Sequence, residues 1–334
     1  MPRCPKCLSK QAIRWGKTSN SKTRWYCKIC QRVFVWKKKK HNHKQWLSLW
    51  INGLTINQIA KYARKSRETI KREINHFLSN PPVIKPVCNS KAHLLIDATH
   101  FKRKSVLIVY YDNGLKYIQR IRYADSERVR DIVRDLKCLK RQGINIKSIT
   151  TDGHSSVKSA TRTVFPYAKQ QRCLVHIQRF ANTYLTKHPK TQAGLELKEI
   201  VSFINYIDNQ ISKRTFLGRI SEWHRKYNDF LKERTYSENN ISKQRWWYTH
   251  RNLRKVIYHI NSAIPDMFHY IDNKAIPKDT NGLEGRFNDL KHKFRTHRGL
   301  KETKRKNYLY WYLNTKNKNR KYSKNIQIPT KNDH

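Results

Sequence analysis

Leu94-Leu95-Ile96-Asp97-Ala98-Thr99 sets a carboxylate directly after three large apolar residues, and the fold is decided around this stretch. Short apolar runs bounded by polar residues predict buried strands, whereas a 3.6-residue apolar period predicts helices. On these patterns we expect strands at 94–101, 106–111 and 117–123, a helix over 127–141, a strand at 144–151, a helix over 155–165 and a strand at 171–176 leading into a further helix. This order of strands and helices predicts an α/β fold.

Two more acidic residues lie in comparable positions. Asp152 closes the run Ile149-Thr150-Thr151, and Glu284 lies in Thr280-Asn281-Gly282-Leu283-Glu284-Gly285. Carboxylates are scarce in this chain, with 23 Asp and Glu against 72 Lys and Arg, so each one beside apolar residues is a candidate functional group. The structural alternative is that the aspartates form turns and that Glu284 stabilises the start of a helix through its dipole.

The overall charge points to a polyanionic partner. The formal net charge is +49, and the aromatic content of 11% indicates a folded protein with basic surfaces. Nucleic acid is the commonest partner of such a field, and a ribosomal or histone-like role is the plain alternative. No apolar run reaches the ~18 residues of a membrane span, and the N-terminus has no signal-peptide core, so we expect a cytoplasmic protein.

Two cysteine pairs predict a zinc ribbon over residues 1–36. Cys4-x2-Cys7 and Cys27-x2-Cys30 can supply four thiolates to one tetrahedral ion. A site with four cysteines has no open position, so this Zn²⁺ is expected to be structural. Because the chain has an odd number of cysteines, seven, a disulfide framework is not indicated.

Residues 41–79 predict three short helices. The first ends near Gly53, Thr55 caps a second over 56–63, and the third begins at Ser66. This arrangement resembles the helix-turn-helix of DNA-binding proteins, in which the later helix enters the major groove. The polar side of the third helix carries the candidate DNA contacts Arg67, Thr69, Lys71 and Arg72. A generic three-helix bundle is the alternative. Prolines 81, 82 and 86 indicate a linker over 80–92.

The interval from Asp152 to Glu284 is too long for a compact α/β core. Its apolar pattern is mainly helical, so we expect a helical insertion at about 190–275, followed by a helix over 283–294. The whole α/β domain is then 93–313. Residues 314–334, rich in Lys and Asn, predict a flexible basic tail.

Several motifs, taken in order, resemble the DDE transposases of bacterial insertion sequences, in the Mutator-like branch of the RNase H-like superfamily. They are Asp97-Ala98-Thr99, Thr151-Asp152-Gly153, Val164-Phe165-Pro166, Gln171-Arg172-Cys173-Leu174-Val175-His176, Thr280 to Gly285, and Lys293 to Leu300, the last as in a subgroup that carries a zinc ribbon. The resemblance implies an RNase H-like catalytic core with Asp97, Asp152 and Glu284 as its triad. It also matches Cys173 and His176 to a Cys-x2-His motif of uncertain role, in which they support the site or are an ordinary buried thiol and a hydrogen-bonded histidine.

The family's chemistry implies two Mg²⁺ (or Mn²⁺) ions held by the three carboxylates. The expected function is binding of the terminal inverted repeats of an insertion sequence, followed by metal-dependent cleavage and transfer of DNA strands into a target. A homo-oligomer on paired ends in a prokaryotic nucleoid is expected. Cations of the last motifs are expected to line the DNA path, with a solvated surface as the alternative: Arg286, Lys291, Lys293, Arg295 and Arg298.

Two other functions remain open at this point. One is a DNA-binding regulator that derives from a transposase and has lost catalysis, although the presence of all three carboxylates speaks against it. The other is a nuclease without strand transfer. RNA binding is also compatible with the charge, but a helix-turn-helix favours duplex DNA.

Overall fold

The structure, a computed structural model, describes residues 2–35, 43–101, 105–237, 246–297 and 299–318. The chain divides into two units, Met1–Phe77 and Leu78–His334. Within the described residues no helix is both long and apolar enough to cross a membrane.

The first unit begins with a three-stranded antiparallel sheet in which the strands lie in chain order: β1 (Ala12–Lys17), β2 (Thr23–Cys27) and β3 (Val33–Val35). Its small core consists of Cys4, Ala12, Cys27 and Phe34. The runs Arg24-Trp25-Tyr26 and Arg32-Val33-Phe34, on either side of the second cysteine pair, predict short strands, and β2 and β3 agree with this. Strand β1 was not predicted, because five of its six residues are exposed and give no alternating apolar signal.

Three helices complete the first unit: α1 (His43–Ile51), α2 (Ile56–Ala63) and α3 (Arg67–Ser79). The predicted cap at Thr55 is confirmed, since its hydroxyl accepts the Gln58 N–H while the Gln58 side chain accepts the Thr55 N–H. This reciprocal pair satisfies donors that a helix start leaves open. Ile59, Ile70 and Ile74 are buried and form the apolar side of α2 and α3.

A mixed five-stranded sheet forms the centre of the second unit. Its strands are β4 (Asn89–Phe101), β5 (Ser105–Asp112), β6 (Tyr117–Ala124), β7 (Ile144–Thr151) and β8 (Lys169–Arg172), in the order β6-β5-β4-β7-β8. Strands β4, β5 and β6 pair antiparallel, whereas β4 pairs with β7 and β7 with β8 in parallel. The unit is therefore an α/β fold in which the strand that carries Asp97 is central.

The two faces of the sheet are covered by different elements. Leu94 and Ile96 point into a core shared with α4 (Val129–Arg141) and α5 (Ser155–Val164). Successive side chains of a strand alternate between faces, so Leu95 and Asp97 face the other way. There the Leu95 side chain lies against Gly282, at the start of a later helix. The sequence thus places Asp97 on the face that the C-terminal part of the chain covers.

The strand expected at 171–176 is shorter than predicted. It ends at Arg172, and α6 (Leu174–Leu185) begins two residues later with Cys173 as its cap. The Cys173 N–H still bonds to the Thr151 carbonyl at 2.8 Å, but the Leu174 N–H bonds to the carbonyl of Lys278 at 3.1 Å. Because a distant segment takes this bond, the backbone turns from strand into helix.

The predicted insertion is mainly helical, and its core is shared with α6. It contains α7 (Gln192–Ser202), α8 (Gln210–Lys226), α9 (Arg251–Ala263) and α10 (His269–Asp272). Trp223 is buried there and donates its indole N–H to the Ala193 carbonyl at 2.9 Å. Two short antiparallel strands, β9 (Arg234–Tyr236) and β10 (Trp246–Tyr248), were not predicted, since each has only three residues.

Two helices end the described chain, α11 (Asn281–Arg295) and α12 (Glu302–Lys318). The tail predicted from residue 314 is wrong for residues 314–318, which continue α12. Asn314 and Asn317 are buried, and the Asn317 amide exchanges two hydrogen bonds with the backbone of Ile118 on β6, at 2.9 and 3.0 Å. This polar segment is buried because the Asn317 side-chain amide hydrogen-bonds to the backbone of β6, as a neighbouring strand would. The rest of the predicted tail, 319–334, lies outside the described residues.

Candidate active site

Asp97 is a buried carboxylate on the central strand. The residue is 9% exposed, and its Oδ1 accepts the Ala98 N–H at 2.9 Å. Burial raises the pKa of Asp97 to about 6, because the charged form loses hydration. The charge of His176 acts in the opposite direction, and the nearby carboxylates of Asp152 and Glu284 raise the pKa further. A cation bound beside Asp97 would stabilise the ionised form of this carboxyl.

Glu284 and His176 reach the same point from two helices. One donor atom each from Asp97, His176 and Glu284 can be chosen so that all three lie within 4.8 Å of one another. The His176 Nε2 is 3.6 Å from Glu284 Oε1, and Arg179 Nη1 is 2.6 Å from the same oxygen. Arg179 was not singled out from the sequence, although it follows His176 by three residues, on the same side of α6. Its guanidinium balances the charge of Glu284.

Asp152 lies beside this cluster but does not join it at 4.8 Å. Its Oδ1 accepts the His154 N–H at 2.9 Å and the Thr151 hydroxyl at 3.0 Å, which holds the carboxylate at the carboxyl end of β7. Its negative charge contributes to the raised pKa of Asp97. The structure therefore brings Asp97 and Glu284 together and sets Asp152 at the margin of the pair.

Gly153 follows Asp152 for a steric reason. Its φ is +91°, and a Cβ atom at this position would lie 1.6 Å from Nη1 of Arg172. The Arg172 guanidinium donates to the Gly153 carbonyl at 3.2 Å and lies 3.2 Å from His259 Nε2. Burial lowers the pKa of Arg172, and the charge of Asp152 opposes this effect. The Arg172 side chain thus packs against the Asp152-Gly153 turn and fixes it through a hydrogen bond. No sequence pattern indicated this role.

Cys173 fixes the segment around Thr280, where the chain returns to the sheet after the insertion. Its buried sulfur accepts the Thr280 N–H at 3.4 Å and the Thr280 hydroxyl at 3.5 Å. The Thr150 hydroxyl donates to the Pro277 carbonyl at 2.7 Å, one strand away. Burial raises the pKa of the Cys173 thiol, which favours the neutral form. Cys173 anchors the start of α11 four residues before Glu284, whereas His176 lies at the acids.

A fourth acid, Glu127, borders the site on the side of α4. Its side chain is 12% exposed and lies 3.9 Å from His154 Nδ1 and 3.8 Å from His100 Nε2. Burial raises the pKa of Glu127, and the charge of His154 counteracts it. The sequence reasoning missed Glu127 because it precedes a helix, where an acid is usual.

The four cysteines of the first unit form a second cluster that fits a metal. Cys4 Sγ is 3.4 Å from Cys30 Sγ, Cys7 Sγ is 3.5 Å from Cys27 Sγ, and all four sulfurs lie within 4.8 Å of one another. A tetrahedral zinc with bonds of about 2.3 Å needs sulfurs roughly 3.8 Å apart. The geometry is compatible with a zinc ribbon.

The cations expected at DNA differ in their exposure. On α3, Arg67, Lys71 and Arg72 are exposed. The half-buried Thr69 instead uses its hydroxyl locally, 2.8 Å from the Ser66 hydroxyl.

On α11, Lys291 and Arg295 follow Glu284 by seven and eleven residues, which places them on the same helix face. Arg286 points elsewhere, with its guanidinium 4.9 Å from the centre of the Tyr111 ring. Lys293 is half-buried, and Arg298 lies outside the described residues.

Comparison with known proteins gives the site its context. Residues 99–263 match the family model described as Transposase, Mutator family. This part of the chain is similar to the Mutator family of transposases. The resemblance drawn from the motifs is thereby confirmed. The match to the Mutator family includes Asp152 and His176, whereas Asp97 lies just before its first residue and Glu284 lies well beyond its last.

A curated relative agrees with this family. The transposase for insertion sequence element IS905 of Lactococcus lactis subsp. lactis (strain IL1403) is 25% identical over 105 residues, 31% of this chain and 26% of that protein. The match thus spans about a quarter of the relative's length. A chain of the simian T-cell lymphotropic virus intasome, solved by cryoEM in complex with PP2A regulatory subunit B56 gamma, aligns over 42% of this chain and 58% of its own, with 14% identity and a TM-score of 0.20.

Proposed function

We propose that this protein is a DDE-type transposase that binds the terminal inverted repeats of its insertion sequence and catalyses metal-dependent DNA cleavage and strand transfer. One observation carries the proposal. Asp97 and Glu284, distant in sequence, meet within 4.8 Å on the covered face of the sheet, with His176 beside them and Asp152 at the margin. The family match supports a transposase.

The fold is proposed to be RNase H-like. Three antiparallel strands followed by two parallel strands, with the first strand in the centre, give the order β6-β5-β4-β7-β8. In this arrangement the first acid lies on the first strand and the second acid at the end of the fourth. The helical insertion then separates the second acid from the third, which α11 returns to the same face.

The donor set fits divalent cations. Carboxylate oxygens suit Mg²⁺, and the additional imidazole of His176 is compatible with Mn²⁺. When bound, two such ions would neutralise charge on the attacking and leaving oxygens of a phosphodiester. Asp97, Asp152 and Glu284 would hold these ions, with Asp97 as the most buried of the three. Arg179 now balances Glu284 at 2.6 Å, so this contact must weaken when a cation takes that oxygen.

The first unit is proposed to recognise DNA. Cys4, Cys7, Cys27 and Cys30 would hold one structural zinc, and α3 would enter the major groove with Arg67, Lys71 and Arg72. Lys291 and Arg295 would extend the DNA path from Glu284 along α11. Transposition joins two element ends, so a homo-oligomer on paired ends is part of this proposal.

The test uses a duplex that carries the DNA flanking the gene. The unaltered protein is incubated with Mg²⁺ or Mn²⁺ beside Asp97→Asn, Glu284→Gln and the surface control Asp229→Asn, whose side chain is 94% exposed. We expect 3′-hydroxyl ends and joined products from the unaltered protein and the control, and none from the two site variants, all four binding the duplex equally. Tight binding without cleavage by the unaltered protein would instead support the regulator.

A further inference from the structure

A basic groove lies between α4 and α5, on the face of the sheet opposite to Asp97. It has a volume of about 640 Å³ and a floor that includes Val133 and Val164. Five cations of α4 line it, and four of them lie at intervals of three or four residues, so these four form a single stripe along that helix. The stripe consists of Arg130, Arg134, Lys137 and Arg141.

Charge is separated across α4. Its two acids, Asp131 and Asp135, face strand β6, where Asp135 is fully buried and accepts hydrogen bonds from Arg120 and Arg122. These two acids therefore do not neutralise the positive charge of the stripe. Throughout the described ranges, none of its four cations lies within 4.0 Å of a carboxylate oxygen, and all four are exposed. Like charges three or four residues apart destabilise a helix, so this stripe is arranged to face an external anion.

The helix that carries the stripe starts near the margin of the candidate active site. Glu127, three residues before Arg130, lies 3.9 Å from His154, which follows Asp152 by two residues. Helices α4 and α5 both start near Glu127 and His154 and run away from these residues. At 1.5 Å per residue the stripe is about 16 Å long, which matches roughly five phosphates of one strand at 3.4 Å of helix axis each.

We propose that this groove binds the phosphate backbone of duplex DNA that extends away from the active site, as a second DNA path distinct from that of α11. The inference rests on the proposed function for its biological meaning, but its physical basis is the stripe alone. Contacts to phosphates position a duplex and carry no sequence information, so binding here is expected to be independent of sequence.

The test measures binding of a 30-base-pair duplex of arbitrary sequence at several salt concentrations. In the groove variant all four stripe residues are changed to Gln, which keeps helix propensity. The control variant also removes four positive charges, from exposed residues of the insertion: Lys187→Gln, Lys190→Gln, Arg214→Gln and Arg225→Gln. Two half variants, Arg130→Gln with Arg134→Gln and Lys137→Gln with Arg141→Gln, provide a second reading if the fourfold variant folds poorly.

The plot of log K against log salt has a negative slope, and each lost phosphate contact reduces the magnitude of this slope by about 0.9. We expect the groove variant to lose about 3 to 4 from this slope, each half variant about 2, and the control less than 1. Equal losses in the groove and control variants would show an effect of net charge only and overturn the proposal, as would a loss confined to duplex RNA. Cleavage assays keep the two proposals apart. A groove effect on binding without any cleavage by the unaltered protein would refute only the transposase, and cleavage with unchanged slopes would refute only the groove.

Discussion

Removing the charge of Asp97 is expected to stabilise the metal-free protein. The pKa of this carboxyl rises from 3.8 to about 6 on folding, mainly through burial. At about 1.4 kcal/mol per pH unit, this difference corresponds to about 3 kcal/mol. Because the folded pKa lies above the unfolded one, the contribution of this carboxyl to stability is fully present below pH 4 and is lost as the pH rises through 6. At pH 7.5 the penalty is complete.

Asp97→Asn should therefore raise the free energy of unfolding at pH 7.5 by up to about 3 kcal/mol. The neutral amide can still accept the Ala98 N–H, which Asp97 now does at 2.9 Å. At about 2–4 °C per kcal/mol for a unit of this size, the melting temperature should rise by up to roughly 6–12 °C. The gain should shrink towards zero at pH 4, where the unaltered carboxyl is protonated.

The measurement is a pair of melting curves with and without Mg²⁺ at pH 4 and 7.5. Mg²⁺ should stabilise the unaltered protein at pH 7.5 and have little effect on Asp97→Asn, since a ligand stabilises only the state that binds it. Asp229→Asn serves as a control and should match the unaltered protein throughout. If Asp97→Asn melts lower than the unaltered protein at pH 7.5 without metal, the argument from burial is refuted.

Three further results are expected. Gly153→Ala should cost about 2–4 kcal/mol in urea unfolding, because a positive φ and the displaced Arg172 side chain both oppose it, and the cost should fall in an Arg172→Ala background; an equal cost in both backgrounds would contradict the steric account. Asp135→Asn should cost about 3–5 kcal/mol by the same measurement, since it removes the fully buried charge that pairs with the half-buried Arg120 and Arg122 and leaves Arg122 only the 3.8 Å contact with Asp131; a cost below 1 kcal/mol would be inconsistent with that pairing. Native mass spectrometry should find one zinc per chain, lost with Cys27→Ser or a chelator, and retention of zinc by that variant would argue against a four-cysteine site.

The sequence predicts the strands and helices of the α/β unit well because apolar periodicity is strong there. Leu94 to Ile96 and the run before Asp152 are buried as their composition implies. Where burial depends on distant partners the prediction fails. Asn317 belongs to a polar stretch, yet it is buried because β6 accepts and donates to its amide.

The residues of the candidate site likewise fall into those that the sequence predicts and those that it does not. Its carboxylates were recognised because acids beside apolar runs are rare in a basic chain. Arg172, Arg179 and Glu127 were missed, since their roles depend on which backbone turn or carboxylate they meet after folding. The Cys-x2-His pair was recognised as a unit, but only the structure separates an anchoring thiol from an imidazole that reaches the acids.

The two clamps at the base of the insertion have a consequence for how this protein can vary. Thr150 holds Pro277 and the Leu174 N–H holds Lys278, so the segment that leads to Glu284 is tied to the sheet independently of what lies between. Doubling the length of a flexible connection costs only about 0.6 kcal/mol. Loops between residues 186 and 276 can therefore change in length without displacing the third acid, provided that α9 keeps its packing against α6 and the contact of His259 with Arg172.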